Sequence, residues 1–315
     1  MKPENNVLLL GGIIIDRYFE VEVYPAPGQD TLIRNSYDKI GGCALNVAVT
    51  LNNLGSHPFI VSKRGDDEVG EKIEQYVRSI GLSTACIRTA PGQQTGYSLT
   101  IIDPAGERTF FTHKGVEKEF SSEMIPGDLL AGLAFAYVTG YYLLSQPTAG
   151  AVLELVEGLK QTSCQVVFDP GPLAGKIEPA QLQKMIALSD WIIPNVAELA
   201  IVHQVLGFPG DPLDWLLGHG ARYVAVKKGE QGVDLHTGSS TQSIQGFRVK
   251  AIDTTGAGDS FVGGLIHGLI HHFDPVQAIE LANACGAYTA TIQGPHGIFS
   301  AEQLAQFIST SKDQS

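Results

Sequence analysis

Short runs of apolar residues recur along this chain, and between them apolar positions return every three or four residues. Val7 to Ile15 is apolar almost throughout and predicts a buried strand. Pro58 to Ser62, Phe135 to Val138, Gln165 to Phe168, Trp191 to Ile193 and Tyr223 to Val226 predict further strands. Helical spacing covers Ala44 to Leu54, stopped by Gly55, and Val69 to Ile80, stopped by Gly81. It returns at Ala149 to Lys160, Ala197 to Leu206, Gly258 to His271 and Pro275 to Thr291. Apolar strands alternating with amphipathic helices predict a three-layer α/β/α body around a mostly parallel sheet.

Two stretches break this rhythm. Glu20 to Ile40 and Thr95 to Thr112 are rich in β-formers and carry the turn signals PAPGQ and DPAGER. Both connect early elements of the body. Paired, they predict a small β-sheet lid, from about 17–40 and 95–114, within one domain spanning 1–315. One lid edge needs covering, which predicts a homodimer through the lid.

With 315 residues, 43% apolar and 17% charged, the chain buries a sizeable core and reads as globular. A net charge of −12 argues against nucleic-acid or anionic-membrane partners, though not against a local phosphate pocket. Cys43, Cys86, Cys164 and Cys285 form no CxxC pair, which predicts reduced thiols in a cytoplasmic protein. MKPENN followed by the glycine-broken run VLLLGGIII does not fit a signal peptide. LLAGLAFAYVTGYYLL falls short of a membrane span and predicts a helix end followed by a buried strand. His267 and His271 have i, i+4 spacing, but no third metal ligand stands nearby.

Two glycine-rich places carry candidate chemistry. In KIGGCALNVA, Gly41 and Gly42 precede a helix with Asn46 in its first turn. A glycine pair lets backbone approach a ligand, and an amide offers both donor and acceptor to a hydroxyl. In AIDTTGAGDSFVGG, the chain enters a helix near Ala257 with Asp259 in its first turn. Helix-start N–H groups and the helix dipole favour an anion such as a transferring phosphoryl group, and a carboxylate there can take a proton. Read alone, that acid is more often a helix-start charge than a base. The dinucleotide fingerprint is out of register here, and neither a P-loop nor a GxSxG elbow occurs.

Taken together, the two stretches resemble the paired signatures of the PfkB, or ribokinase-like, family of carbohydrate and nucleoside kinases. The first runs Gly41, Gly42 to Asn46 and Ala48, then Gly55 and Gly65; the second runs Asp253, Gly256, Ala257, Gly258, Asp259, then Gly263 and Gly264. The resemblance implies ATP and Mg²⁺ as cofactors and the same lidded α/β fold. It implies that Asp259 is the catalytic base and that the Gly256, Ala257 and Gly258 backbone holds the γ-phosphate. Asp16, Gly41, Gly42 and Asn46 match sugar contacts. Asn195 and Glu198 match a pair near the phosphates, Glu198 reaching Mg²⁺ through water. Lys227, Gly229 and Gly232 match the nucleotide loop, and Asn283 a residue beside adenine. Asp253, Thr255 and Gly294 fall where many members bind a monovalent cation such as K⁺.

The chain also departs from the pattern. TGYYLLSQP lacks the glutamate that some members present to the sugar, and FDPGPLAG lacks a D-x-N-x-R form, so neither ribose nor an acidic sugar is singled out. Arg17, Arg108, His113 and Lys114 are candidates to meet an acidic group, and Tyr97, Phe110, Tyr141 and Tyr142 to stack on a sugar or base or simply to pack. The sequence thus predicts an ATP-dependent kinase of a small monosaccharide. A nucleoside kinase of the same fold is the alternative, and a non-catalytic sugar-binding regulator a more distant one. A nicotinamide oxidoreductase is disfavoured by the absent fingerprint.

Overall fold

The computed structural model describes residues 6–312. The polar opening, 1–5, on which the signal-peptide reading rests, lies outside the described residues. The first half of the chain gives β1 (Asn6–Leu10), β2 (Ile14–Val21), β3 (Ile33–Gly41), α1 (Cys43–Asn53), β4 (Pro58–Gly65), α2 (Glu68–Ser79), β5 (Ile87–Ala90), β6 (Tyr97–Ile102) and β7 (Arg108–His113). Then come α3 (Gly127–Leu130), β8 (Leu133–Thr139), α4 (Gln146–Leu159), β9 (Gln165–Asp169), α5 (Pro179–Leu188), β10 (Trp191–Ile192), α6 (Val196–Leu206), α7 (Pro212–Gly218) and β11 (Tyr223–Lys227). A hairpin, β12 (Val233–His236) and β13 (Thr241–Ile244), precedes the closing helices α8 (Ala257–Ile270), α9 (Pro275–Ala290) and α10 (Ala301–Lys312).

The large sheet runs β13-β12-β11-β10-β9-β8-β1-β4-β5, parallel from β5 to β11, with the hairpin added antiparallel. Alternation inside the apolar strands splits the core in two. Leu8 and Leu10 pack with Val152, Val156 and Leu182 of α4 and α5 on one face. Val7 and Leu9 pack with Ala44, Val47, Val262 and Ile279 of α1, α8 and α9 on the other. Each fully buried Leu contributes about 1.5–3 kcal/mol over an exposed one. That is why β1, apolar on both faces, belongs inside the sheet rather than at its edge.

The expected strand Val7 to Ile15 is broken in two. At Gly11 and Gly12 the chain leaves the large sheet, and close packing there favours glycine: a Cβ at 11 would stand 3.0 Å from both the Ala44 Cβ and the Thr139 methyl. A Cβ at 12 would stand 2.5 Å from the Glu117 Cγ. Beyond the break, β2 enters a second sheet of order β3-β2-β6-β7. β2 pairs antiparallel with β3 and parallel with β6, and β6 pairs antiparallel with β7. In that register Asp16 lies opposite both Lys39 and Ser98, and Ser98 opposite Thr112, so these share one face. Gly263 and Gly264 play no part in a turn. They let α8 approach α1 and α9: a Cβ at 263 would stand 2.7 Å from Thr50 Cβ, and one at 264 would stand 2.9 Å from Ala282 Cα. No helix among the described residues is long and apolar enough to cross a membrane.

Candidate active site

In an open parallel sheet, ligands bind beyond the carboxyl ends of the strands, where the strand order reverses. Here the order reverses at β1, which sits between β8 and β4. Asp16 follows β1, Tyr141 follows β8, Asp169 ends β9, Asn195 follows β10 and Lys227 ends β11. The fold thus brings residues far apart in sequence to one edge of the body.

On one side of this edge stands Asp16, 9% exposed. Gly41 makes room for it: a Cβ there would overlap the Asp16 Oδ2. Gly42, at φ 105°, lies where a Cβ would strike the Gly12 carbonyl. Burial, then the nearby charges of Asp259 and Asp253, push the Asp16 carboxyl up to about 7, against the opposing pull of Lys114. Asn46 is buried in the first turn of α1, and its Nδ2 donates to Asp259 Oδ2 at 2.7 Å.

Asp259 is half-buried in the first turn of α8. Burial raises its carboxyl to about 7; the Asn46 hydrogen bond and Lys227 oppose the shift and Asp169 adds to it. Gly256 caps the helix at φ 71°, tight against Pro295, whose carbonyl oxygen a Cβ would overlap. The Ala257 N–H closes a turn on the Thr254 carbonyl at 3.2 Å, and the Ser260 N–H reaches back to Gly256 at 2.9 Å. The N–H groups of Gly258 and Asp259 lie between these two, in the turn where a helix has no carbonyls of its own to offer. Of the Gly256, Ala257 and Gly258 backbone, Gly258 is therefore the member best placed to donate outward.

Beside α8 opens a cavity of about 360 Å³ lined by Lys227, Gly229, Gly232, Gly258, Phe261 and Asn283, among others. Asn283 Nδ2 donates to the Gln245 carbonyl at 3.0 Å, so its amide is fixed against the β13 end. Asn195 and Glu198 form a reciprocal cap on α6: Glu198 N–H donates to Asn195 Oδ1 at 2.9 Å, and Asn195 N–H to Glu198 Oε2 at 2.8 Å. The N-x-x-E spacing thus has a folding reason of its own. Glu198 still faces the site, its carboxyl raised by burial and by Asp169 against the pull of Lys227.

Asp169 carries a role that sequence reasoning did not assign. Its Oδ2 accepts Lys227 Nζ at 2.8 Å, at a site where both side chains are mostly buried. Burial pulls the Lys227 ammonium down, but Asp169, Glu198 and Asp259 outweigh it and hold the pKa above the usual lysine range. The signal was a strand-end acid in FDPG at the level of the Lys227 strand end. Asp253 is likewise enclosed. Its Oδ1 accepts the Thr255 N–H at 2.9 Å and lies 3.3 Å from Arg108 Nη2; its Oδ2 accepts the Gly294 N–H at 3.0 Å.

The cationic and aromatic candidates divide between the two faces of the small sheet. Lys114, just past β7, lies 3.9 Å over the Tyr141 ring and 4.0 Å from Glu117 Oε1. Arg17 instead lies 5.6 Å from the Tyr97 ring, and Tyr97 stacks on His113, on the face opposite Asp16. Phe110 is 53% exposed. Tyr142 is a core residue whose hydroxyl donates to the Val61 carbonyl at 2.9 Å. Burial pushes the Cys43 thiol well up, which disfavours a reactive thiolate. His267 shares a 2.9 Å hydrogen bond with Ser56, and no group of three or more metal-ligating side chains occurs among the described residues.

A large parallel sheet between helix layers, a separate small sheet and a cleft at the switch point together define the ribokinase fold. A Burkholderia thailandensis nucleoside kinase in complex with inosine superposes with a TM-score of 0.81 over 97% of this chain and 96% of its own, at 23% identity. A Xylella fastidiosa fructokinase with bound ATP gives 0.85 over 98% and 99%, at 21% identity. The chain belongs to the pfkB family of carbohydrate kinases, whose family model matches residues 4–300. A Halopiger xanaduensis protein named ATP-dependent ribose-1-phosphate kinase is 29% identical over 304 residues, covering 96% of this chain and 98% of the relative. The chain is accordingly a kinase of that family, an ATP-dependent phosphotransferase with an alcohol group as acceptor.

Proposed function

We propose that this kinase transfers the γ-phosphate of ATP to a hydroxyl of a small monosaccharide, with Asp259 as catalytic base. The observation that carries the reading is the place of Asp259. Its carboxylate accepts from Asn46 and stands near enough to Asp16 for the two charges to oppose each other, while its chain neighbour Gly258 lines the cavity with Lys227. Asp16 accepts two acceptor hydroxyls, and Asn46 adds a donor or an acceptor. ATP occupies the cavity between Gly229, Gly232 and Asn283, with its γ-phosphate toward the Gly258 N–H and the Lys227 ammonium. Asp259 takes the hydroxyl proton as the oxygen attacks in line. The small sheet acts as a lid over Asp16 and excludes water from the reaction.

Glu198 fits Mg²⁺ bound through water. One of its oxygens is held by the α6 cap, and Mg²⁺ bound mainly by phosphates and water needs little more from the protein. When bound, Mg²⁺ neutralises phosphate charge. For K⁺ the fit is poor. Thr255 and Gly294 turn N–H groups toward Asp253, and Arg108 already balances its charge.

ADP release with Mg-ATP, against pentoses, hexoses, sugar acids, sugar phosphates and nucleosides, tests the proposal, with Asp259→Asn run alongside. An acceptor-dependent signal lost in the variant is expected. An unchanged kcat in the variant removes Asp259 from the base role. Sugar phosphates belong in the panel because the Halopiger relative is named for one and Lys114 stands near Asp16. Preference for inosine or adenosine over every free sugar would favour the nucleoside reading instead.

A further inference from the structure

Four side chains from four distant parts of the chain stand in a line that ends on Asp259. Asn46 Nδ2 lies 2.7 Å from Asp259 Oδ2, and Asn46 Oδ1 lies 2.9 Å from His296 Nδ1. The His296 Nε2, in turn, is 2.6 Å from the Tyr76 hydroxyl. Asn46 comes from α1, Tyr76 from α2, and His296 from the segment between α9 and α10. That segment is held independently of Asn46. The Gly294 N–H donates to Asp253 at 3.0 Å, and Asn53 Nδ2 donates to the Gly297 carbonyl at 2.8 Å.

For a neutral imidazole, only one arrangement of protons satisfies all three contacts once Asp259 is a carboxylate. A carboxylate accepts and cannot donate, so Asn46 must present its NH₂ to it. The Asn46 carbonyl then faces His296 and needs a donor, which places the imidazole proton on Nδ1. Nε2 is left as an acceptor, and the Tyr76 hydroxyl donates to it. A neutral ring suits the place: burial, with Lys39 nearby, pulls its pKa down to about 4.

We propose that His296 is a positioning residue for the catalytic base, with Tyr76 setting its tautomer. Its Nδ1–H locks the Asn46 amide in the one orientation that aims an N–H at Asp259. Without the His296 bond only the carboxylate holds the amide, so its plane swings more widely and its N–H is aimed at Asp259 less closely. The lock also fixes the second N–H and the second carbonyl lone pair of Asn46, which remain available to an acceptor hydroxyl. The inference rests on the reading of Asp259 as the base.

The test compares His296→Phe, His296→Gln, Tyr76→Phe and Asp259→Asn with the parent enzyme in kcat, both KM values and thermal stability. His296→Phe keeps a ring and drops the N–H. It should lower kcat roughly 10- to 100-fold while ATP KM stays within about twofold. His296→Gln restores an N–H donor and should recover part of the loss. Tyr76→Phe should lower kcat by a smaller factor, because it only frees the ring to move its proton to Nε2. Long-range ¹H–¹⁵N spectra of the parent enzyme should show the Nδ1–H form. An Nε2–H form in the parent overturns the proposal, and this readout needs no variant to fold. An unchanged kcat in His296→Phe, with Asp259→Asn inactive, overturns the lock and leaves the base reading standing. An active Asp259→Asn removes the base and the lock together.

Discussion

Gly41→Ala is a substitution whose cost to the fold and cost to function come apart. The φ of Gly41 is not positive, so alanine fits the backbone there. Its new methyl meets the end of one side chain, the Asp16 Oδ2, and more distantly the Pro295 Cγ at 3.1 Å. A carboxylate that turns aside costs the fold about 1 kcal/mol or less. The same turn removes at least one of the two hydroxyl bonds proposed for Asp16. A hydrogen bond to a charged group contributes about 1.5–3 kcal/mol, so acceptor KM should rise roughly 10- to 150-fold. The assay is ADP release at pH 8.5, well above the pKa of about 7 for Asp16, so that protonation does not confuse the result. ATP KM should stay within about twofold of the parent. An unchanged acceptor KM refutes the placement of the acceptor at Asp16. A parallel rise in ATP KM would instead locate the damage in the body of the protein.

Four further outcomes are expected. Asp16 and Asp259 have folded pKa values raised to about 7, so their contribution to stability is complete below about pH 4 and lost as pH rises through 7. Asp259→Asn should therefore raise the melting temperature at pH 8 and change it little at pH 4; a lower value at pH 8 counts against buried, crowded carboxylates. Lys227→Met should cost about 3–5 kcal/mol in urea unfolding by stranding Asp169, and adding Asp169→Leu should recover most of that stability but no ATP affinity. Arg108→Met should lower kcat about five- to tenfold with ATP binding intact, because it cuts the tie from the small sheet to Asp253; equal kcat would make that contact incidental. Leu32, Ile33 and Phe111 are exposed on the small sheet, so light scattering should give twice the mass of one chain, and Leu32→Asp or Phe111→Asp should halve it. A monomeric parent would end the proposed homodimer through the lid.

Periodicity located the core strands of the body, where burial on both faces leaves an unbroken apolar run as in β1 and β8, and six of its helices, but missed α5, α7 and α10. It failed at Gly11 and Gly12, where glycine marks a change of sheet rather than a strand interior, and a window of local residues cannot see Glu117 waiting there. The short β5 and the β12–β13 hairpin, only four residues per strand, are too brief for a period to show. At the proposed site, Gly41, Asn46 and Asp259 each sit beside a local signal, a glycine pair or a helix start, whereas Asp16 was singled out only by the family resemblance. Asp169 and His296 were singled out by neither. The first is meaningful only beside Lys227, and the second only beside Asn46, 250 positions away. The lid cations were half legible. β-alternation separates Arg17 from Asp16 at once, whereas the burial of Lys114 over Tyr141 depends on how the small sheet leans on the body.

Asp16 and Asp259 stand near opposite ends of the chain, and the segment that steadies Gly256 and Asn46 comes later still, at Gly294 to Gly297. A ribosome adding about 5–20 residues per second reaches that segment roughly 15–60 s after Asp16 has been made. For much of that interval the small sheet exists without Asp253, to which Arg108 of β7 is tied, and β1 has one flanking strand until β8 is made. On the proposed reading of the site, the growing chain lacks its catalytic base and the segment that steadies it until it is nearly whole. Its long exposure of open sheet edges is the stage at which a chaperone would matter most.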